Sequence, residues 1–158
     1  MDTFVIFKIR QQILHPDLAS LYNNIGTVDG DMHHHSTALS NYEKALGIYK
    51  KSLPSNHPSL STSYNNIGAT YFQMDRYAEA LSNYEKALEI FKKSLPVNHP
   101  DLSISYNNIG TVYENMNDYS KAYSLYEKAL EISKRSLPES HPFVIKCESN
   151  FNRIRQKL

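Results

Sequence analysis

Apolar side chains between residues 58 and 95 fall on two separate helical stripes. Tyr64, Ile67, Gly68 and Tyr71 stand at i, i+3, i+4 and i+7, which puts them on one face of a helix. Gln73-Met74-Asp75-Arg76 interrupts that spacing. Ala80, Tyr84, Ala87, Leu88 and Phe91 then resume it at i, i+4, i+7, i+8 and i+11. Asn56-His57-Pro58-Ser59 reads as the start of the first helix, because proline at the first helical position gives up an N–H that has no partner there anyway. Asp75 is the predicted N-cap of the second helix. Leu95-Pro96 ends it, since proline cannot continue a helix. Glu89 and Lys93 are spaced to pair on its outer face. Gly68 would weaken an ordinary helix by about 1 kcal/mol relative to alanine. Its place on the apolar face predicts a second helix too close for a side chain.

This two-helix passage is written three times. His-Pro recurs at His15, His57, His99 and His141, each forty-two residues after the last. Tyr22-Asn23-Asn24-Ile25-Gly26 returns as Tyr64-Asn65-Asn66-Ile67-Gly68 and Tyr106-Asn107-Asn108-Ile109-Gly110. Tyr42-Glu43-Lys44-Ala45-Leu46 returns at Tyr84 and at Tyr126. A period of this size marks stacked supersecondary units. Neither helix of a unit can bury its apolar stripe alone, so neighbouring units must stack into an all-α array. The predicted divisions are a partial helix or N-terminal extension over 1–14, a degenerate repeat over 15–56, repeats over 57–98 and 99–140, and a capping half-repeat over 141–158.

The order Tyr64, Ile67-Gly68, Tyr71, Ala80, Tyr84, Ala87 resembles the tetratricopeptide repeat. The forty-two-residue period, with a longer second helix, is similar to the subgroup found in kinesin light chains and nephrocystin-like proteins. The likeness covers roughly residues 15 to 157. It implies a right-handed α-solenoid of antiparallel helix pairs, about three repeats and a C-terminal capping helix, that binds protein segments without catalysis. The heptad-repeat segment that joins kinesin light chains to their motor has no counterpart in this sequence.

Two places break the beat. Where the second unit has Tyr71 to Tyr77, the first reads Asp29-Gly30-Asp31-Met32-His33-His34-His35. Two aromatics are lost and Gly30 falls near the helix end, so the first helix is predicted to stop about a turn early and the first unit to be the least stable. In the fourth, half-length unit Asn152 replaces the packing glycine. Lys146, Arg153, Arg155 and Lys157 give its helix the polar, basic face expected of a terminal cap. Residues 1–14 align with the end of a second helix, as if the chain began mid-repeat or came from a longer array.

Composition narrows the partners. With 17 basic and 16 acidic residues the formal charge is +1, which gives no field for nucleic acid or an anionic membrane. The apolar run Phe4-Val5-Ile6-Phe7 is broken by Lys8 and Arg10 and is too short for a signal region or a membrane span. One cysteine, Cys147, offers no disulfide framework and suits a reducing compartment, so the expected location is cytoplasmic.

His33-His34-His35, with Asp29 and Asp31 nearby, suggests a metal site, but three adjacent histidines cannot converge on one ion from regular structure. They read as a solvated turn, and no metal or cofactor is expected. The four periodic histidines lie a repeat apart, too far to act on one substrate, and read as structural. No nucleophile–base arrangement or phosphate loop is present, so the chain is read as no enzyme. The twelve tyrosines read chiefly as packing.

The asparagine pairs carry more. Asn65 lies about 100° around the helix from Tyr64 and shares a stripe with Thr62, Ala69, Phe72 and Gln73. The resemblance implies that this stripe lines a concave groove. Asn23, Asn65 and Asn107 would form a ladder along it, each amide able to donate and accept toward an extended peptide. Thr111, Glu114 and Asn115, then Lys146, Ser149 and Arg153, continue the stripe. Asn24, Asn66 and Asn108 match a consensus position of the family and read as structural. The expected function is a scaffold that binds a peptide or protein segment in this groove. The alternatives are a spacer with its groove unused, or a regulatory segment of a larger protein. The chain is expected to be a monomer, or to self-associate weakly through its repeat ends.

Overall fold

The computed structural model describes residues 15–158; the segment 1–14, read above as a partial helix, lies outside the described residues. Seven helices and no strand occur among these residues. They are α1 (Pro16–Asp31), α2 (His35–Ser52), α3 (Pro58–Gln73), α4 (Tyr77–Ser94), α5 (Pro100–Asn115), α6 (Tyr119–Ser136) and α7 (Pro142–Arg155). Helices pack most extensively within the pairs α1/α2, α3/α4 and α5/α6, and then across the junctions α2/α3, α4/α5 and α6/α7. The core is therefore continuous from unit to unit.

Each unit begins with the same cap. The imidazole Nδ1 of His57 accepts the backbone N–H of Ser59 at 3.2 Å, immediately ahead of Pro58. His15, His99 and His141 do the same for Asp17, Asp101 and Phe143 at 3.2–3.3 Å. The forty-two-residue histidine beat is thus a set of N-caps, in which a ring nitrogen stands in for the usual side-chain oxygen. Replacing His57 by alanine is expected to cost about 1 kcal/mol, and serine or aspartate at that position to restore most of it. Chemical denaturation of the three variants checks this.

The first helix of each unit closes with the same backbone device. His33, Asp75 and Asn117 take positive φ of 59°, 56° and 61°. Arg76 N–H reaches back to the Tyr71 carbonyl at 2.9 Å, and Asp75 N–H to that of Phe72 at 3.0 Å. These are the two bonds of a Schellman motif, formed here without glycine. Two expectations are corrected by it. Asp75 is not the N-cap of α4: that position is Arg76, and the Asp75 carboxylate instead accepts from the Tyr77 hydroxyl at 2.8 Å. Nor does α1 stop early. It runs 16 residues, as α3 and α5 do, because the Schellman bonds at His33 and His34 close it at the same register despite Gly30.

The packing glycine is explained by one ring. A Cβ on Gly68 would lie 2.9 Å from Cδ1 of Tyr84, and Gly26 and Gly110 meet Tyr42 and Tyr126 equally closely. The close approach is therefore made by a tyrosine ring of the second helix packed against the glycine of the first. Around it Ala38, Ala45, Ala80, Ala87, Ala122 and Ala129 are fully buried. A buried hydroxyl ties the pair further along: Ser61 donates to the Ala87 carbonyl at 2.9 Å and Ser103 to that of Ala129. In α7, Asn152 stands at the glycine register and Ile145 at the serine register, and both are exposed.

Candidate functional site

The first helices of the units, α1, α3, α5 and α7, present the row of side chains that the helical spacing set apart from the core. Thr62 and Gln73 are exposed, and Phe72 is half-buried with its ring 5.8 Å from that of Tyr77. Lys146 and Arg153 are exposed on α7. Thr111 and Glu114 are half-buried on α5.

The three asparagines of the predicted ladder stand in different circumstances. Asn23 Nδ2 donates to Ser63 Oγ at 3.2 Å, so its amide bridges the first and second units. Asn107 is 1% exposed, and its Oδ1 accepts from Asn150 Nδ2 at 2.8 Å, which bridges the third unit to α7. Both are occupied in holding neighbouring first helices together. Asn65 is half-buried, and its Oδ1 has no hydrogen-bond partner. The acceptor of the middle amide is unpaired and shielded from solvent.

Arg153 and Glu114 meet. The Arg153 guanidinium lies 2.7 Å from Glu114 Oε2, which also accepts from the Tyr126 hydroxyl at 2.8 Å. Lys157 approaches the other oxygen at 3.4 Å. Burial and the adjacent carboxylate push the Tyr126 hydroxyl up to about 12, so it remains a donor at neutral pH. Thr111 is drawn into the same network, accepting from Tyr126 at 3.1 Å while donating to the Asn107 carbonyl. This end of the row is an ion-pair network that fastens α7, and among the described residues it leaves Lys146 as the cation of the predicted set outside any ion pair.

Sequence reasoning missed a second ladder. Lys44, Lys86 and Lys128 stand over the rings of Tyr22, Tyr64 and Tyr106 at 5.4–5.8 Å, one cation–π pair per unit. Lys50 of the first unit also lies over Tyr64 of the second. The signal was present, because these lysines repeat with the same period as the tyrosines. Helical spacing alone does not tell a packed ring from one with a cation above it.

At the turn carrying His33 to His35, the rings of His33 and His35 stand edge to face at 5.9 Å. His34 Nδ1 lies 3.9 Å from Asp29 Oδ1, whose other oxygen accepts from Asn41 at 2.9 Å. Among the described residues no three histidine, cysteine or acidic side chains group to hold an ion. Cys147 is buried near Ser103 and Ser133, and burial raises its thiol above the ordinary range, which keeps it a poor nucleophile. No described helix is long and apolar enough to cross a membrane.

A concavity of about 500 Å³ opens between α4 and α6, with Leu88 on one wall, Leu125 on the other and Ile109 and Tyr113 of α5 as its floor. At the preceding junction, Asn83 stands at the register of Leu125, so the apolar wall belongs to this junction only.

Comparison with known proteins agrees with this architecture. The tetratricopeptide repeat family matches residues 59–135 and, separately, 18–59. No curated protein matches the chain by sequence. Among solved structures, BtubC (BKLC) from P. vanneervenii superposes with a TM-score of 0.82 at 23% identity, over 89% of this chain and 57% of that one. A kinesin-light-chain-type protein of Podosopora anserina with nearly identical TPR-like repeats gives 0.80 at 22%, over 90% and 67%. The first TPR of Spaghetti (RPAP3), bound to the HSP90 peptide SRMEEVD, gives 0.67 at 16%, over 89% and 93%. The chain thus spans little more than half the length of BtubC.

Proposed function

Because the chain belongs to the tetratricopeptide repeat family, we propose that it is a protein-interaction scaffold that holds an extended segment of a partner against its first helices, centred on α3. The observation that carries this reading is the Oδ1 of Asn65. Two of three equivalent amides are consumed in unit-to-unit bonds, and the third stands at mid-row with a buried, unpaired acceptor, flanked by exposed Thr62 and Gln73 and by the Phe72 ring. Rotation of the Asn65 amide on binding would bring its buried acceptor to a peptide N–H, and the ring gives one side chain of the peptide an apolar seat. A peptide-bound neighbour, Spaghetti with its HSP90 peptide, supports the general mode. It does not transfer the peptide, since 16% identity carries the fold alone. The fixed charges along the row, Glu114 held by Arg153 and Lys146 left exposed, favour a segment of mixed rather than uniform charge.

A random-peptide display selection on the whole chain tests this. Selected peptides should lose binding at least tenfold to Asn65→Ala combined with Phe72→Glu, with the thermal midpoint held within a few degrees. Asn107→Ala serves as the contrast, because its amide is buried and bonded to Asn150, so it should lower stability first. Peptides that bind the double variant as well as the parent would sink the groove reading. The spacer role would then be favoured.

A further inference from the structure

Tyr42, Tyr84 and Tyr126 stand at one register, and their hydroxyls are not equally satisfied. Tyr42 donates to Thr27 Oγ1 at 3.3 Å. Tyr126 lies 3.1 Å from Thr111 Oγ1 and 2.8 Å from Glu114 Oε2. Tyr84 meets Ala69 at the register of those threonines and Phe72 at the register of Glu114, and both pack against its core cluster. Neither offers an acceptor, so among the described residues the Tyr84 hydroxyl has no hydrogen-bond partner. The ring is 4% exposed, but its oxygen is not sealed as Asn65 Oδ1 is. Burial pushes its ionisation above the ordinary range, so the group stays a donor. A donor this deep without a partner is costly, and the residues beside it belong to the groove row.

The third unit shows what completes such a ring. There a side-chain carboxylate of the groove row accepts from the tyrosine, and Arg153 and Lys157 of the next unit balance its charge. One unit earlier, the registers of Arg153 and Lys157 hold Thr111 and Asn115, which are neutral. A carboxylate brought to Tyr84 would go uncompensated. A primary amide offers the same carbonyl-type acceptor on the same stem without the charge. We propose that Tyr84 is a ligand-binding residue, whose hydroxyl donates to the side-chain amide of a glutamine or asparagine in the segment held against α3. This rests on the groove reading above and adds to it a preferred side chain. Phe72 gives the stem of that side chain its apolar contact, and Ala69 leaves the space that a threonine closes in the other two units.

The probe is the set of peptides selected on the whole chain from a random display library, with affinities read by calorimetric titration. They should share glutamine or asparagine at one position. Exchanging that residue for methionine should weaken binding about fivefold on the parent and hardly at all on Tyr84→Phe. Glutamate at that position should bind no better than methionine. Ala69→Thr gives the ring the partner that the other units have, and it should reproduce the loss on a folded protein. Equal losses on the parent and on Tyr84→Phe overturn the assignment, and a preference for glutamate overturns the neutral chemistry. Peptides that ignore Tyr84→Phe and Ala69→Thr but lose binding to Asn65→Ala combined with Phe72→Glu also overturn it, and the groove reading then stands without it. Peptides indifferent to all of these variants, or none selected at all, overturn both.

Discussion

Gly68→Ala lowers the thermal midpoint by up to about 8 °C, whereas Gly47→Ala raises it by a few degrees. Both glycines lie inside helices, and by propensity alone each change gains about 1 kcal/mol. At Gly47 nothing stands within 4 Å of the new methyl group, so the gain survives. At Gly68 the methyl meets Cδ1 and Cε1 of Tyr84 at 2.9 and 3.0 Å, and that ring is 4% exposed and has nowhere to move. Overpacking of this kind costs about 1–3 kcal/mol and outweighs the propensity. In a chain of this length each kcal/mol moves the midpoint by about 2–4 °C. Scanning calorimetry on the two variants decides the matter. A Gly68→Ala protein as stable as the parent would show that the helix pair can widen, and the tyrosine-on-glycine contact would lose its explanatory role.

Glu114→Ala is expected to cost about 2 kcal/mol, because hydrogen bonds to a charged group are worth about 1.5–3 kcal/mol in a sheltered position. The carboxylate is 11% exposed and accepts from both Arg153 and Tyr126, so its loss strands two donors and loosens α7. Conservative neighbours sharpen the result. Tyr126→Phe removes bonds to Glu114 and Thr111 and should cost about 1 kcal/mol. Tyr84→Phe should be nearly neutral, because Ala69 stands where Thr27 and Thr111 offer a hydroxyl to the other two rings. Amide exchange in α7 should quicken in Glu114→Ala and stay unchanged in Tyr84→Phe. Equal effects of the two tyrosine changes would mean that Glu114 holds α7 without help from the ring.

Periodicity made the helix pairs, their junctions and the glycine contact readable, because each is a repeated local event. The His57-Pro58 junction already said where a helix starts, though an imidazole acting as cap was not read from it. Turn closure was misread for a related reason. Asp75 resembles a capping residue by type, but the turn is decided by backbone carbonyls at Tyr71 and Phe72, which no side-chain pattern displays. The candidate site was legible as a stripe and illegible in its occupancy. Asn23, Asn65 and Asn107 are identical in sequence context. Their partners Ser63 and Asn150 lie forty and forty-three residues away, so only packing reveals which amide is spent. Arg153 was read as a cation open to a ligand for the same reason, since Glu114 is thirty-nine residues distant.

The corner residues His33, Asp75 and Asn117 have one further consequence. Three chemically different side chains, basic-aromatic, acidic and neutral amide, occupy one left-handed conformation between a 16-residue and an 18-residue helix. The corner therefore acts as a letter slot that takes histidine, aspartate or asparagine, the residue types that most readily adopt this conformation. By exchange among those three types, charge along that rim, a few residues beyond Phe72 and Gln73, can be rewritten without disturbing the helices on either side. In a molecule whose interior spells the same words three times, the corners are where one array can acquire a dialect of its own.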